Sequence, residues 1–121
     1  MDAYIEFNKA MKTFLRCSIE AYPEIKEFKL CLTMYKLFKT MNKKKPCQYF
    51  LSTTKGYHDA IMAKDEAFFS TQDIQYNDFL QDIVVRIKTE WDNFTPESKD
   101  AFWQHLQVMV ILSNKCVEKK E

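Results

Sequence analysis

The chain has 121 residues, of which 46% are hydrophobic and 29% are charged, and its formal net charge is +1. These values are typical of a single globular domain and exclude an intrinsically disordered chain. Glycine occurs once, at Gly56, which excludes the glycine-rich loops that bind phosphates and dinucleotides and favours helices joined by short connectors.

The first predicted helix runs from Asp2 to Tyr22. Apolar residues recur there at steps of three and four, which places them on one helical face. Asp2 and Glu6 suit the positive end of the helix dipole, and Pro23 ends the helix because the residue before a proline avoids helical geometry. The members of this face are Tyr4, Phe7, Met11, Phe14 and Leu15.

A second helix is predicted to open at Pro23 and to end at the lysines before Pro46. It carries two apolar stripes, which predicts a helix covered on both sides. The first stripe is Ile25, Phe28, Leu32 and Tyr35, and the second is Leu30, Met34, Leu37 and Met41. Residues 1–45 are therefore predicted to form a basic N-terminal helix pair.

Residues 46–70 have weaker periodicity, and we predict a connector that contains a short helix. Residues 48–51 suit one helical turn, and residues 52–56 suit a loop. Tyr57 and Ile61 are spaced to line a short helix that ends near Lys64.

Residues 71–117 are predicted to form a C-terminal antiparallel helical hairpin. Ser70 or Thr71 caps its first helix, and Thr95 with Pro96 starts its second. We expect an all-α fold, a compact bundle of four or five helices built around this hairpin. Residues 1–121 then form one helical domain.

Motifs for catalysis and metal binding are missing from the sequence. His58 and His105 are the two histidines, and neither belongs to a metal-binding pattern. We expect a polar turn around His58, a partly buried structural role for His105, and a non-enzymatic protein with no metal and no cofactor. The four cysteines form no CxxC pair and favour free thiols in a reducing compartment; they are Cys17, Cys31, Cys47 and Cys116.

The ends and the apolar runs of the chain predict its location. The first residues include acids where a signal peptide carries positive charge. No run approaches the ~18 apolar residues that cross a bilayer. We therefore expect a protein that is not secreted and does not insert into a membrane.

The candidate binding residues are a cluster of lysines and a set of aromatic residues. Residues 1–60 hold eleven Lys and Arg against six Asp and Glu, whereas residues 61–121 hold seven against eleven. The candidate surface for an anionic partner is Lys36, Lys39, Lys43, Lys44 and Lys45. A solvated helix terminus explains the same lysines. The aromatic residues that are either core or partner contacts are Tyr49, Phe50, Phe68, Phe69, Trp91 and Trp103.

Residues 57–115 contain four recognisable stretches: DEAFF at 65–69, IKTEWDNF at 87–94, KDAFWQHLQ at 99–107 and ILSNK at 111–115. This order resembles the C-terminal pattern of small helical proteins from large nucleocytoplasmic DNA viruses, the giant viruses. In that pattern a tryptophan closes one helix and an aliphatic-Trp-x-x-Leu-Gln motif opens the next; here Phe102 takes the aliphatic place. The resemblance implies a viral protein of the host cytoplasm, at the virus factory, or of the virion.

Two hypotheses of function follow. The first is a non-enzymatic interaction or structural protein that binds a protein partner, or a second copy of itself, through helix faces. The alternative is a nucleic-acid-associated protein that uses the basic surface from Lys36 to Lys45.

Overall fold

The computed structural model describes residues 2–54, 56–66 and 79–118, and their regular structure is helical without a β-strand. The all-α prediction is confirmed. The α-helices are α1 (Ala3–Ala21), α2 (Lys26–Met41), α3 (Lys45–Thr54), α4 (His58–Met62), α5 (Phe79–Glu90) and α6 (Pro96–Glu118), with a 3₁₀ turn at Trp91–Asn93.

Helix α1 begins and ends within one residue of the predicted positions. The Asp2 carboxylate accepts a hydrogen bond from the backbone N–H of Tyr4 at 2.8 Å, which caps the helix. At the other end the N–H of Tyr22 donates to the carbonyl of Ser18. The predicted apolar face lies in the core, where Phe7 is fully buried.

Helix α2 differs from the prediction in its start and in its covered surface. Pro23 lies in a turn that the N–H of Ile25 closes on the Tyr22 carbonyl at 3.0 Å, so the helix begins at Lys26. The first apolar stripe is buried, but the second is not covered. Its exposed members are Leu30 (44%), Leu37 (53%) and Met41 (69%). The expectation of a helix covered on both sides was wrong, because three of the four members of the second stripe are exposed and Met34 is half-buried.

The segment after α2 is more helical than the sequence indicates. Helix α3 has three turns, and Pro46 lies in its first turn, where a missing N–H costs no hydrogen bond. Gly56 follows with φ of +86°, a backbone conformation that favours glycine. Helix α4 confirms the predicted short helix. Phe68, Phe69 and the predicted caps at residues 70 and 71 lie outside the described residues.

The elbow between the last two helices has a defined geometry. Trp91 is in the 3₁₀ turn rather than in the last turn of α5, and Phe94 is extended. The hydroxyl of Thr95 accepts the N–H of Ser98 at 3.1 Å, and α6 begins at Pro96 as predicted. Helix α6 reaches Glu118, one residue beyond the predicted end of the hairpin at residue 117.

The centre of the bundle is the pair α1 and α6. Within the described part of the chain, the most extensive contact of α6 is with α1, and the most extensive contact of α5 is with α2. The two C-terminal helices are consecutive, as predicted, but the bundle is not built around a contact between them. Aromatic rings fill the core: Phe14 meets Phe102 at 5.4 Å between ring centroids, and Phe7 meets Phe50 at 5.3 Å.

Candidate functional site

The five predicted lysines do not form one free patch. Lys43 donates to the Asp2 carboxylate at 2.6 Å. The Lys44 ammonium lies 5.5 Å from the centroid of the Tyr4 ring, and Lys45 lies 5.3 Å from that of Phe38. These three lysines therefore hold the end of α2 against neighbouring side chains. The remaining two, Lys36 and Lys39, are exposed on α2 and form no ion pair with any described residue.

The contact between Lys43 and Asp2 also changes the acidity of the carboxyl group. The hydrogen bond from Lys43, followed by the one from the Tyr4 backbone, lowers the pKa of Asp2. One carboxylate thus caps α1 and anchors the chain beyond α2. Lys43 is therefore partly neutralised within the fold, which weakens its case as a ligand for an external anion.

Most of the predicted aromatic residues belong to the core. Phe50, Trp91 and Trp103 are all more than nine-tenths buried, so they are not available to an external partner. Tyr49 is half-buried and meets Phe38 edge-on at 5.2 Å. The aromatic candidates that the structure describes therefore pack within the fold and do not form an exposed binding surface.

Neither histidine is arranged as a catalytic or metal-binding group. His105 is half-buried with its ring 5.6 Å from Phe14, as expected of a structural residue. His58 is the first residue of α4 rather than part of a solvated turn, and its Nε2 lies 3.0 Å from the hydroxyl of Thr54. Among the described residues no group of three or more His, Cys, Asp or Glu could hold a metal ion.

Burial of both histidines makes the free energy of unfolding depend on pH. Desolvation lowers the pKa of His105, and it lowers the pKa of His58 although Asp59 opposes the change. Between these lowered values and the usual value of about 6.5, the unfolded chain binds more protons than the folded chain. The free energy of unfolding must therefore rise with pH in this window and fall as the solution is acidified below about 6.5.

We expect urea unfolding at pH 5 to give a lower free energy of unfolding than at pH 7. The decrease should be smaller in H58Q and H105Q and smallest in the double variant, because glutamine does not titrate. Asp2 does not contribute in this window, since its lowered pKa moves its titration to more acidic pH. A decrease of equal size in the double variant and the wild type would contradict the assignment.

A small pocket lies between α1 and α6. Its lining includes Cys17, Tyr22, Phe102 and His105, and its volume is about 60 Å³. None of the ten described residues that line it is Lys, Arg, Asp or Glu. Such a pocket holds little more than a few water molecules and has no charged group to bind or polarise a substrate.

Two core cysteines form a thiol pair. Cys47 on α3 and Cys116 on α6 are both buried and share a hydrogen bond. Burial, and then this hydrogen bond, raise the pKa of the Cys47 thiol. Cys17 differs because it is exposed on α1. The four cysteines carry free thiols.

Among the described residues, the outer face of α2 carries three exposed large apolar side chains in one stripe. We call Leu30, Met34, Leu37 and Met41 the outer stripe. Their spacing of four, three and four residues keeps them within about 60° of the helix circumference. Elsewhere in the described part of the chain, α6 also has three exposed large apolar residues, of which two are the smaller valines: Val108, Ile111 and Val117; α1, α4 and α5 have one each, namely Ile5, Met62 and Val85. Scattered residues of that kind are normal on a protein surface.

The two flanks of the outer stripe differ in charge. At 100° per residue, Lys26, Thr33 and Thr40 border the stripe on one flank, and Lys29 and Lys36 lie further round on the same side, about 110–130° from its centre. Glu27 lies on the other flank, where it meets Arg86 of α5 at 3.5 Å. The segment from residue 28 to residue 58 contains seven lysines and no acidic residue. The outer stripe is thus bordered by positive charge on its open side.

Two threonines on the open flank are already satisfied by α2 itself. The Thr33 hydroxyl donates to the Lys29 carbonyl at 3.1 Å, and the Thr40 hydroxyl donates to the Lys36 carbonyl at 2.9 Å. Covering this flank would therefore leave neither hydroxyl without a partner. The outer stripe was predicted from the sequence, but the exposure of three of its four members was not.

None of the described helices combines the length and the apolarity needed to cross a membrane. No protein-family model, curated protein or solved structure matches the chain.

Proposed function

We propose that this chain is a non-enzymatic interaction protein that binds a protein partner through the outer stripe of α2. The observation that supports this proposal is the exposure of Leu30, Leu37 and Met41 on a helix whose opposite face is held in the core. Full burial of one such side chain is worth about 1.5–3 kcal/mol. Because these three side chains are 44–69% exposed, a partner that covers all of them gains roughly half of that for each, about 2.5–5 kcal/mol in total, before the costs of association.

The rigidity of α2 adds to its suitability as a docking surface. Tyr35, on the buried side, donates its hydroxyl to the carbonyl of Asn8 at 3.0 Å, and the Asn8 amide donates to the Lys43 carbonyl at 3.0 Å. These bonds join α2 and the residues after it to α1. A helix held in this way needs little ordering when a partner binds, so less of the contact energy is lost.

Nucleic-acid association is the second candidate, and the acid-free run of lysines from residue 28 to residue 58 favours it. Two observations place it second. Phosphate backbones gain nothing from the apolar outer stripe, and three of the five predicted lysines already have partners within the fold.

On the resemblance of residues 57–115 alone, we also propose a protein of a large DNA virus that acts in the host cytoplasm or the virion.

The test compares two matched double variants of the tagged full-length chain. L37E/M41E places charge in the outer stripe, and V108E/I111E places the same charge at two residues of α6, each 46% exposed. Proteins cross-linked to each form in cells are identified by mass spectrometry, and far-UV circular dichroism verifies folding. We expect at least one partner that is captured by the wild type and the α6 variant and lost from L37E/M41E.

Equal capture by all three forms would overturn the proposal. The nucleic-acid candidate is tested on the same proteins by retention on heparin at low salt. It requires retention of the wild type and of L37E/M41E, and loss of retention in K29E/K36E/K39E.

A further inference from the structure

We infer that the outer stripe accepts one amphipathic helix whose flank is acidic. This inference rests on the proposed function and specifies the chemistry of the partner. The spacing of the stripe, in steps of four, three and four, is the spacing of the a and d positions in a two-helix seam. From Leu30 to Met41 the seam extends over about 16 Å at 1.5 Å per residue. It therefore matches about three turns of a single partner helix.

The charge of the open flank determines which helix fits. Lys26 lies beside the stripe on that flank, Lys29 and Lys36 lie further round on the same side of α2, and none of the three forms an ion pair with a described residue. The opposite flank is occupied by α5, which meets α2 through Arg86 and Glu27. A docked helix consequently faces lysines on one side only. Carboxylates along that side of the partner are complementary, which raises the association rate and disfavours basic partners.

The same charges argue against a second copy of this chain on the outer stripe. Two α2 helices packed face to face would bring together two segments that each carry seven lysines and no acid between residues 28 and 58. Repulsion between like charges opposes that dimer. An anionic membrane is less favoured than a helix, because interfacial helices bury a wide apolar face. Here the bundle presents a stripe about one helix wide.

The inference is tested with a synthetic peptide as the probe. The peptide is a 14-residue fluorescein-labelled helix with leucines at a and d positions and glutamates along one flank. A second peptide replaces the glutamates with lysines. Binding to the full-length protein is measured by fluorescence anisotropy at low and high salt. Vesicles of phosphatidylcholine with phosphatidylserine are tested separately by sedimentation.

We expect saturable binding of the glutamate peptide to the wild type, at least tenfold tighter than that of the lysine peptide. L37E/M41E should weaken this binding at least tenfold, and V108E/I111E should leave it unchanged. K29E/K36E should reverse the preference, so that the lysine peptide binds more tightly. That reversal is the decisive result, because loss of folding cannot produce it.

Three results would overturn the inference: no saturable binding of the glutamate peptide, equal affinity for both peptides, or wild-type binding to anionic vesicles in its place. Failure of the proposed function gives a different pattern. If L37E/M41E loses the partner captured in cells and K29E/K36E keeps it, the outer stripe is the docking surface but the partner is not an acidic helix. If both variants keep that partner, the docking face itself is wrong.

Discussion

The W91A variant is expected to unfold with a free energy about 3–5 kcal/mol lower than that of the wild type. Trp91 is 5% exposed and lies in the 3₁₀ turn between α5 and α6. Its ring centroid is 5.5 Å from that of Phe102 and 5.7 Å from that of Trp103. Alanine leaves a cavity among rigid rings that cannot collapse into it, so the elbow loses both apolar burial and ring contacts.

Urea unfolding followed by far-UV circular dichroism measures this loss. V108A is the control, since Val108 is 46% exposed on α6 and its truncation should change stability by no more than about 0.5 kcal/mol. A double-mutant cycle of W91A with W103A should give a coupling of about 0.5–1.5 kcal/mol for the edge-to-face pair. A cost below about 1 kcal/mol for W91A would show that the elbow does not depend on this tryptophan.

The sequence predicts those helices whose ends depend on adjacent residues. Asp2 caps α1 through the N–H of Tyr4, two residues away, and Thr95 with Pro96 starts α6 through the N–H of Ser98. Both signals require only chemistry that is local in the chain. The start of α6 was therefore predicted at the residue where the structure has it, and the start of α1 was predicted one residue early, at Asp2 instead of Ala3.

The length of helix α3 was underestimated, with one turn predicted at residues 48–51, because its residues have two interpretations. Residues 52–54 are Ser-Thr-Thr, which suits a loop by composition, but their hydroxyls donate to carbonyls of the preceding turn at Tyr49 and Phe50. Pro46 lies in the first turn of α3, where proline is tolerated. Propensity is a weak prior here, and packing of Cys47 and Phe50 into the core decides the outcome.

The candidate site was predicted only in part, because its features depend on contacts between residues far apart in the chain. The sequence showed two apolar stripes on α2 and could not indicate which one the neighbouring helices cover. It also marked Lys43 as a free cation, although its partner Asp2 lies 41 residues away. The basic character of α2 was predictable, whereas the division between engaged and open lysines required the tertiary structure.

The cysteines give the second prediction with a large effect, because burial separates their reactivity. Thiol reagents react with the thiolate. Cys17 is exposed on α1, whereas Cys47 and Cys116 are buried together and burial raises the pKa of Cys47. We expect Cys17 to react with Ellman's reagent first and half-buried Cys31 to follow. The core pair should react roughly 10³-fold more slowly than Cys17, or slower still, because it reacts only when the chain opens.

The measurement is thiol release over time in native buffer and in guanidinium chloride, with modified residues identified by mass spectrometry. C17S should remove the fast phase and leave the slow thiols unchanged, and guanidinium should make all thiols react at similar rates. Because the slow pair joins α3 to α6, its protection reports directly on the packing of a helix of which the sequence predicted only one turn. Fast reaction of Cys47 or Cys116 in native buffer would mean that α3 does not pack against α6 in solution.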